Sequence, residues 1–265
     1  MNIFKHEFKT YFKSTVIWGL SIAGILALYI FLFPAFLENI GTFKTIISRL
    51  PIYIQIALGV VVNNISHYEW FFSFVFSYAV LFAGIHAMKL GLSLISREVR
   101  WKTVDFLFTR PVSRNKIMSA KLSAAVVSVV IIYAFCVLIT LILSVLIIKV
   151  NYNPTAIFLM LLSMLFVQLA FLFLGVLVSV FINRIKSPAL IAIGIVTALF
   201  IAKMLDFSIA GNSLWFLIPF SFFDSNKIAQ TGSIEVVSVV WSLIVIAVSV
   251  AVSYFVYNKK NIPSV

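Results

Sequence analysis

The chain has 265 residues, of which 63% are hydrophobic and 11% charged, with a formal net charge of +12. That apolar share is well above the roughly 45–50% of a soluble globular domain, and no shift in composition divides the chain into two such domains. The cations sit at the edges of apolar runs rather than on one basic face, which argues against a nucleic-acid surface, and a single cysteine, Cys136, rules out a disulfide framework. Cys136 lies within an apolar run and reads as a structural thiol.

The first fourteen residues, MNIFKHEFKTYFKS, place Ile3, Phe4, Phe8, Tyr11 and Phe12 at helical spacing, while Lys5, Lys9 and Lys13 step by four along another face. This pattern predicts an amphipathic helix lying in the membrane interface. The apolar run that follows is too long for the core of a cleaved signal peptide and lacks an A-x-A-like exit. A membrane-crossing helix needs about 20 mostly apolar residues. Six stretches meet that requirement, at 15–37, 70–96, 121–148, 155–182, 188–205 and 235–257, the fifth being the shortest. The predicted fold class is therefore an all-α polytopic membrane protein with six transmembrane helices, forming one domain over residues 1–265.

Cation distribution orients the spans. With both termini cytoplasmic, segments 1–14, 97–121, 183–187 and 258–265 hold 14 of the 20 Lys and Arg, against five on the outer side. The positive-inside rule favours that arrangement. The remaining cation, Lys89, lies about seven residues, or ~10 Å, inside the second span. Its ammonium is within snorkelling reach of the cytoplasmic edge, the alternative being a functional lysine within the membrane. Phe71, Phe72 and Phe76 on the same span either line a pathway or pack in the core or against lipid.

Two outer segments are too apolar for solvated loops and too broken to span. Residues 38–69 include RLPIYIQIALGVVVNNIS, and residues 206–234 crowd Trp215, Phe216, Phe220, Phe222 and Phe223 around Gly211 and Pro219. Short re-entrant or interfacial helices between spans five and six fit the second of these, as does an aromatic belt at the outer surface. Lys203 and Asp206, three apart near an outer helix end, are expected to pair.

Catalytic patterns are missing. Gly19 and Gly24 have the glycine spacing of a phosphate-binding loop, but Ile25 and Leu26 follow where Lys and Ser or Thr are required. HEFKT at 6–10 opens like a zinc-protease motif and ends in Thr. His6, His67 and His86 match no metal-ligand spacing. Asn64-Ile65-Ser66 is a glycosylation sequon by pattern alone. Nor do the spans carry the intramembrane charges that usually mark an ion-driven pathway.

Seven of the twenty Lys and Arg fall in REVRWKTVDFLFTRPVSRNKIMSAK, residues 97–121, between spans two and three. On a helix, Trp101, Val104, Leu107 and Phe108 share one face, Val99 and Phe106 lie on the other side, and Glu98, Lys102, Asp105 and Thr109 separate them. Thr109-Arg110-Pro111 stops the helix. One apolar face can pack on the membrane domain. The other needs a partner, unless the segment is an ordinary amphipathic interface helix.

This stretch resembles the cytoplasmic segment of ABC-2 type permeases, the membrane subunits of ATP-binding-cassette exporters. Glu98, Thr103, Val104, Asp105, Leu107, Pro111, Val112, Ser113, Arg114, Ile117, Lys121 and Leu122 match the family pattern without a gap, while Lys102 and Ala120 stand at glycine positions. The resemblance implies a bacterial cytoplasmic-membrane exporter subunit whose coupling helix docks on a separate ATPase, in a complex of two permeases, identical or different, with two ATPases. It implies ATP and magnesium bound by the ATPase, and no cofactor or catalytic residue in this chain. On that basis Glu98, Val99, Trp101, Thr103, Asp105, Phe106, Leu107, Pro111 and Arg114 are the expected coupling residues. Val99 and Phe106 are assigned to the ATPase, and Trp101, Val104 and Phe108 to the membrane domain. Arg100, Arg110 and Arg114 would meet anionic lipid or acidic rims. By analogy and apolarity the expected substrate is amphipathic or hydrophobic: a peptide, an antimicrobial or a lipid. The rival readings are an ion-driven secondary transporter or channel, and a membrane scaffold that recruits a cytoplasmic protein.

Overall fold

A computed structural model describes residues 3–57, 66–101, 113–182, 185–209 and 213–259. Among the described residues there is no strand, and nine α-helices follow in order. They are α1 (Ile3–Glu38), α2 (Ile40–Ser48), α3 (Ile52–Ala57), α4 (Tyr68–Trp101), α5 (Arg114–Ile147), α6 (Pro154–Phe181), α7 (Pro188–Ile209), α8 (Ser225–Thr231) and α9 (Val236–Lys259). A 3-10 turn at Pro219–Ser221 precedes α8. Six of these helices (α1, α4, α5, α6, α7 and α9) are long and apolar enough to cross a membrane, at the six predicted positions.

The amphipathic N-terminal segment is not a separate helix. It runs without a break into the first span, giving α1 a length of 36 residues, about 54 Å at 1.5 Å per residue. The physical reason is local: Pro34 is the one proline in α1, and nothing between the amphipathic turns and the apolar run breaks a helix. Lys5, Lys9 and Lys13 are exposed, as the periodicity requires, while Tyr11 and Thr15 turn inward.

α4 and α6 form the centre of the bundle. Of the residues in their apolar stretches 67% and 61% are buried, against 33% or less in the other four spans. α1 lies along α5, α7 along α4, and α9 along α6. Because lipid tails are as apolar as leucine, helices in a membrane associate by close packing of small residues rather than by a hydrophobic drive. Gly91 and Gly175 provide this at the α4–α6 crossing, where a Cβ on Gly91 would lie 2.1 Å from the Leu172 carbonyl oxygen. On α9 the buried face carries Ser238, Ser242, Ser249 and Ser253, short side chains whose hydroxyls are satisfied within the helix where Ser242 donates to Val239 O and Ser253 to Ser249 O. The outward faces of α5, α7 and α9 stay apolar, with Leu138, Val145, Leu190, Leu205 and Val248 all exposed.

The end carrying Tyr68 is locked by polar ties. Asn153 caps α6 by accepting from the Thr155 and Ala156 amides at 3.0 and 3.3 Å, Pro154 fills the first helical position, and the Glu69 carboxylate accepts from the Asn153 amide. The buried Tyr68 hydroxyl and Ser144 Oγ lie 2.6 Å apart, joining α4 to α5.

Candidate functional site

The segment predicted to couple with a partner is framed rather than displayed. α4 continues through Glu98, Val99 and Trp101, so these three expected coupling residues continue the second span as helix. Thr103, Asp105, Phe106, Leu107 and Pro111 lie outside the described residues, as do Val104, Phe108 and Arg110. Arg114 opens α5. Ser113 caps that helix, its hydroxyl accepting from the Lys116 amide at 3.4 Å.

The two ends of the segment are bolted together by one side chain. Lys121, 3% exposed, forms an ion pair with Glu7 of α1 at 3.1 Å and donates to the Leu94 carbonyl of α4, also at 3.1 Å. Three helices thus meet at one ammonium: the amphipathic start of α1, the last turns of α4 and the first turns of α5. A second tie links α5 to α9, where Ser119 Oγ and Tyr254 Oη are 2.7 Å apart. Lys121 is legible in the sequence only as part of a motif. Its partner Glu7 lies far away along the chain, and no local pattern connects them.

The candidate pathway residues separate. Phe72 and Phe76 are buried in α4 and stack on each other with centroids 5.7 Å apart. Phe71 is half-buried and packs on Phe33 and Phe36 of α1 at 5.1 and 4.8 Å. Lys89 stands apart from all three, nearer the other end of α4. It is half-buried, with its ammonium 5.9 Å from the Trp18 ring centroid, a geometry in which the ring face attracts the cation.

Segment 206–234 is anchored by aromatic side chains. Phe220 is buried between Phe171 of α6 and Phe200 of α7, at centroid distances of 4.8 and 5.4 Å. Phe222 and Phe223 are buried beside it, whereas Trp215, Phe216 and Trp241 form a rim cluster, with Trp241 Nε1 donating to Phe216 O at 2.8 Å. One group of rings plugs the bundle and another edges it. α8 is capped by Asp224 and tied to α4 through Ser73 and Asn226 at 2.9 Å.

The expected Lys203–Asp206 pair does not form among the described residues. Asp206 instead accepts from the Leu214 amide at 2.9 Å. Three-residue spacing on a helix permits a pair, but a backbone amide in the following turn takes the buried carboxylate. Among the described residues no group of three His, Cys, Asp or Glu is arranged to hold a metal ion.

These features define a multi-pass helical membrane protein, with a cation-rich segment joining its second and third spans. A family model described as ABC-2 family transporter protein matches residues 1–262, and the chain belongs to that family. Comparison with curated proteins returned no match. Permeases of the ABC-2 family are the membrane components of transporters, are not themselves catalytic, and in general work with an ABC ATPase.

Proposed function

We propose that the chain acts, as one domain over residues 1–265, as the permease half of an ATP-driven exporter in a bacterial cytoplasmic membrane, with both termini on the cytoplasmic side. The observation that carries this reading is the match of residues 1–262 to the ABC-2 family, together with the gapless Glu98–Leu122 resemblance between spans two and three. In this reading a separate ATPase, which binds ATP and magnesium, docks on segment 97–121. Val99 and Phe106 face it, and Arg100, Arg110 and Arg114 meet its acidic rim or anionic lipid. Two permeases, identical or different, assemble with two ATPases. The exposed apolar faces of α5, α7 and α9 supply surface for a second permease as well as for lipid.

The Glu7–Lys121–Leu94 junction supports a coupling role for this region. A displacement of the 97–121 segment by an ATPase would be passed to α1 and α4 through a rigid polar contact rather than through a slack loop. The substrate proposed is amphipathic or hydrophobic (a peptide, an antimicrobial or a lipid), because the spans offer no conspicuous stripe of charge to a polar one.

The test is purification of the chain from its native host in mild detergent, with mass spectrometry of what accompanies it. A near-stoichiometric P-loop ATPase is the expected result. Its absence under gentle conditions would overturn the reading and bring forward an ion-driven transporter or a scaffold.

A further inference from the structure

Residues 213–217, Ser-Leu-Trp-Phe-Leu, form a turn rather than a helix, and four of the five are apolar. Leu214, Phe216 and Leu217 are exposed, Leu217 at 64%. An ordinary surface loop does the reverse, since it leaves its backbone to water. The turn reaches from α7 to α9. At one end the Leu214 amide donates to the buried Asp206 carboxylate of α7 at 2.9 Å. At the other the Trp241 indole of α9 donates to the Phe216 carbonyl at 2.8 Å. Between these ties the Leu217 amide closes on the Leu214 carbonyl at 3.0 Å.

Both anchors belong to helices that can cross a membrane. Asp206 ends the apolar stretch Pro188–Asp206, and Trp241 lies within the stretch Val236–Lys259. Trp241 follows Val236 by five positions, about 8 Å along the axis at 1.5 Å per residue. The water side is marked by the ion pair of Lys227 and Glu235, whose side chains are 53% and 56% exposed and which ends immediately before Val236. Below that pair Val236, Val237 and Val240 are exposed, on the stretch of α9 that meets Phe216 through Trp241. Turn and valines make one apolar patch, edged by Trp215 and Trp241 with centroids 6.3 Å apart. Indoles gather where headgroups give way to hydrocarbon.

We propose that turn 213–217 is seated in lipid, as a strap between α7 and α9 whose outward side chains meet the acyl chains of the leaflet at the Tyr68 end. An apolar surface of this kind sinks about 5–10 Å into the boundary of headgroups and acyl chains. Water is scarce there, so irregular backbone persists only where the chain supplies its own partners. The Asp206 carboxylate, the Trp241 indole and the Leu214–Leu217 closure do so from the inner side, while the leucines and Phe216 point away. A second copy of the chain would fit the patch less well, because a protein surface brings donors and acceptors of its own and leaves no need for an indole to satisfy a turn carbonyl. The proposal rests on the six helices crossing a bilayer, and not on an ATPase or on export.

The experiment is spin labelling of the full chain in phospholipid nanodiscs, read by power saturation with oxygen, which concentrates in hydrocarbon, and with a nickel chelate, which stays in water. Labels are placed by Leu214→Cys and Leu217→Cys, and at the exposed Gln230 of α8 by Gln230→Cys. All three positions are exposed, so folding is not at stake, and the unaltered chain with its buried Cys136 gives the background. Oxygen should dominate at 214 and 217 and the chelate at 230, an inversion between neighbouring segments. Trp241→Phe keeps a ring but removes the donor to the Phe216 carbonyl. It should shift the label at 217 toward the chelate, as the carbonyl turns to water. Chelate dominance at 217 in the unaltered background would make the turn a solvated loop and overturn the proposal. So would a label at 217 that neither reagent reaches and that broadens against its copy in a second chain, which would put a protein on the patch. An unmoved label in Trp241→Phe would overturn the strap.

Discussion

Gly91 of α4 and Gly175 of α6 cross with no side chain between them. A Cβ on Gly175 would lie 2.6 Å from the Met88 carbonyl oxygen and 3.2 Å from the Gly91 Cα. Backbone here touches backbone, so a methyl group cannot be accommodated by rotating a neighbour. Gly91→Ala must push the two central helices apart, at a cost of about 1–3 kcal/mol for overpacking. It should lower the melting temperature in detergent clearly. Gly24→Ala and Gly194→Ala, whose added methyls meet nothing within 4 Å, should leave it unchanged or slightly raised. Equal melting temperatures for all three variants would mean that α4 and α6 do not meet there.

The Glu7–Lys121 pair predicts non-additivity. With side chains only 12% and 3% exposed, removing Lys121 takes the cation from the Glu7 carboxylate, and breaking a buried pair this way costs about 3–5 kcal/mol. Glu7→Gln and Lys121→Met should each destabilise the chain. The double variant should lose less than the sum, by about 0.5–3 kcal/mol, as expected for groups in contact. A double-mutant cycle of thermal unfolding in detergent measures that term, and strict additivity would show the pair to be incidental.

Phe220 should be the sensitive ring of segment 206–234. It fills the space between Phe171 and Phe200 and approaches Gly84, whose added Cβ would come within 3.4 Å of its Cζ. Phe220→Ala leaves a cavity and should cost about 3–5 kcal/mol. Phe216→Ala, at the exposed rim, should cost far less. The melting temperatures of the two variants compare the plug with the rim directly.

The six spans were legible because run length alone decides whether a helix can cross a membrane. The order of importance among them was not. All six are strongly apolar, so nothing in hydropathy singles out α4 and α6 as the centre. That follows from where Gly91 and Gly175 meet, and glycine in a span has several other uses. Likewise Lys121, Glu7 and Leu94 come together only in three dimensions. The Lys203–Asp206 expectation failed for a related reason. Spacing shows which groups can meet, and the Leu214 amide, arriving from the next turn, had the better geometry for a buried carboxylate.

Lys227 gives a prediction with a sign. Its hydrogen bond to Glu235 holds the ammonium above its ordinary value of 10.5. A lysine raised on folding adds stability that is complete below its unfolded value and lost as pH climbs through the folded one. Between pH 6 and 9 the contribution is therefore constant. Lys227→Gln should leave the shape of melting temperature against pH unchanged in that range and alter it only above about pH 10. A change of slope near neutrality would assign the titration to another group.

The reading of 97–121 as a coupling segment is exposed most directly at Phe106. If Val99 and Phe106 enter the ATPase while Trp101, Val104 and Phe108 hold the membrane domain, a carboxylate at 106 is placed in the partner's apolar cleft and not in the permease core. Phe106→Asp should then leave insertion, yield and melting temperature unchanged and abolish co-purification of the ATPase. Loss of a central aromatic anchor costs about 2 kcal/mol or more, about thirtyfold in affinity. Phe106→Leu, still apolar, should retain most of the binding, and Arg110→Gln should weaken it in proportion to how far added salt does. The opposite pattern, with ATPase retained and the permease unstable, would place Phe106 against the membrane domain and reverse the two faces.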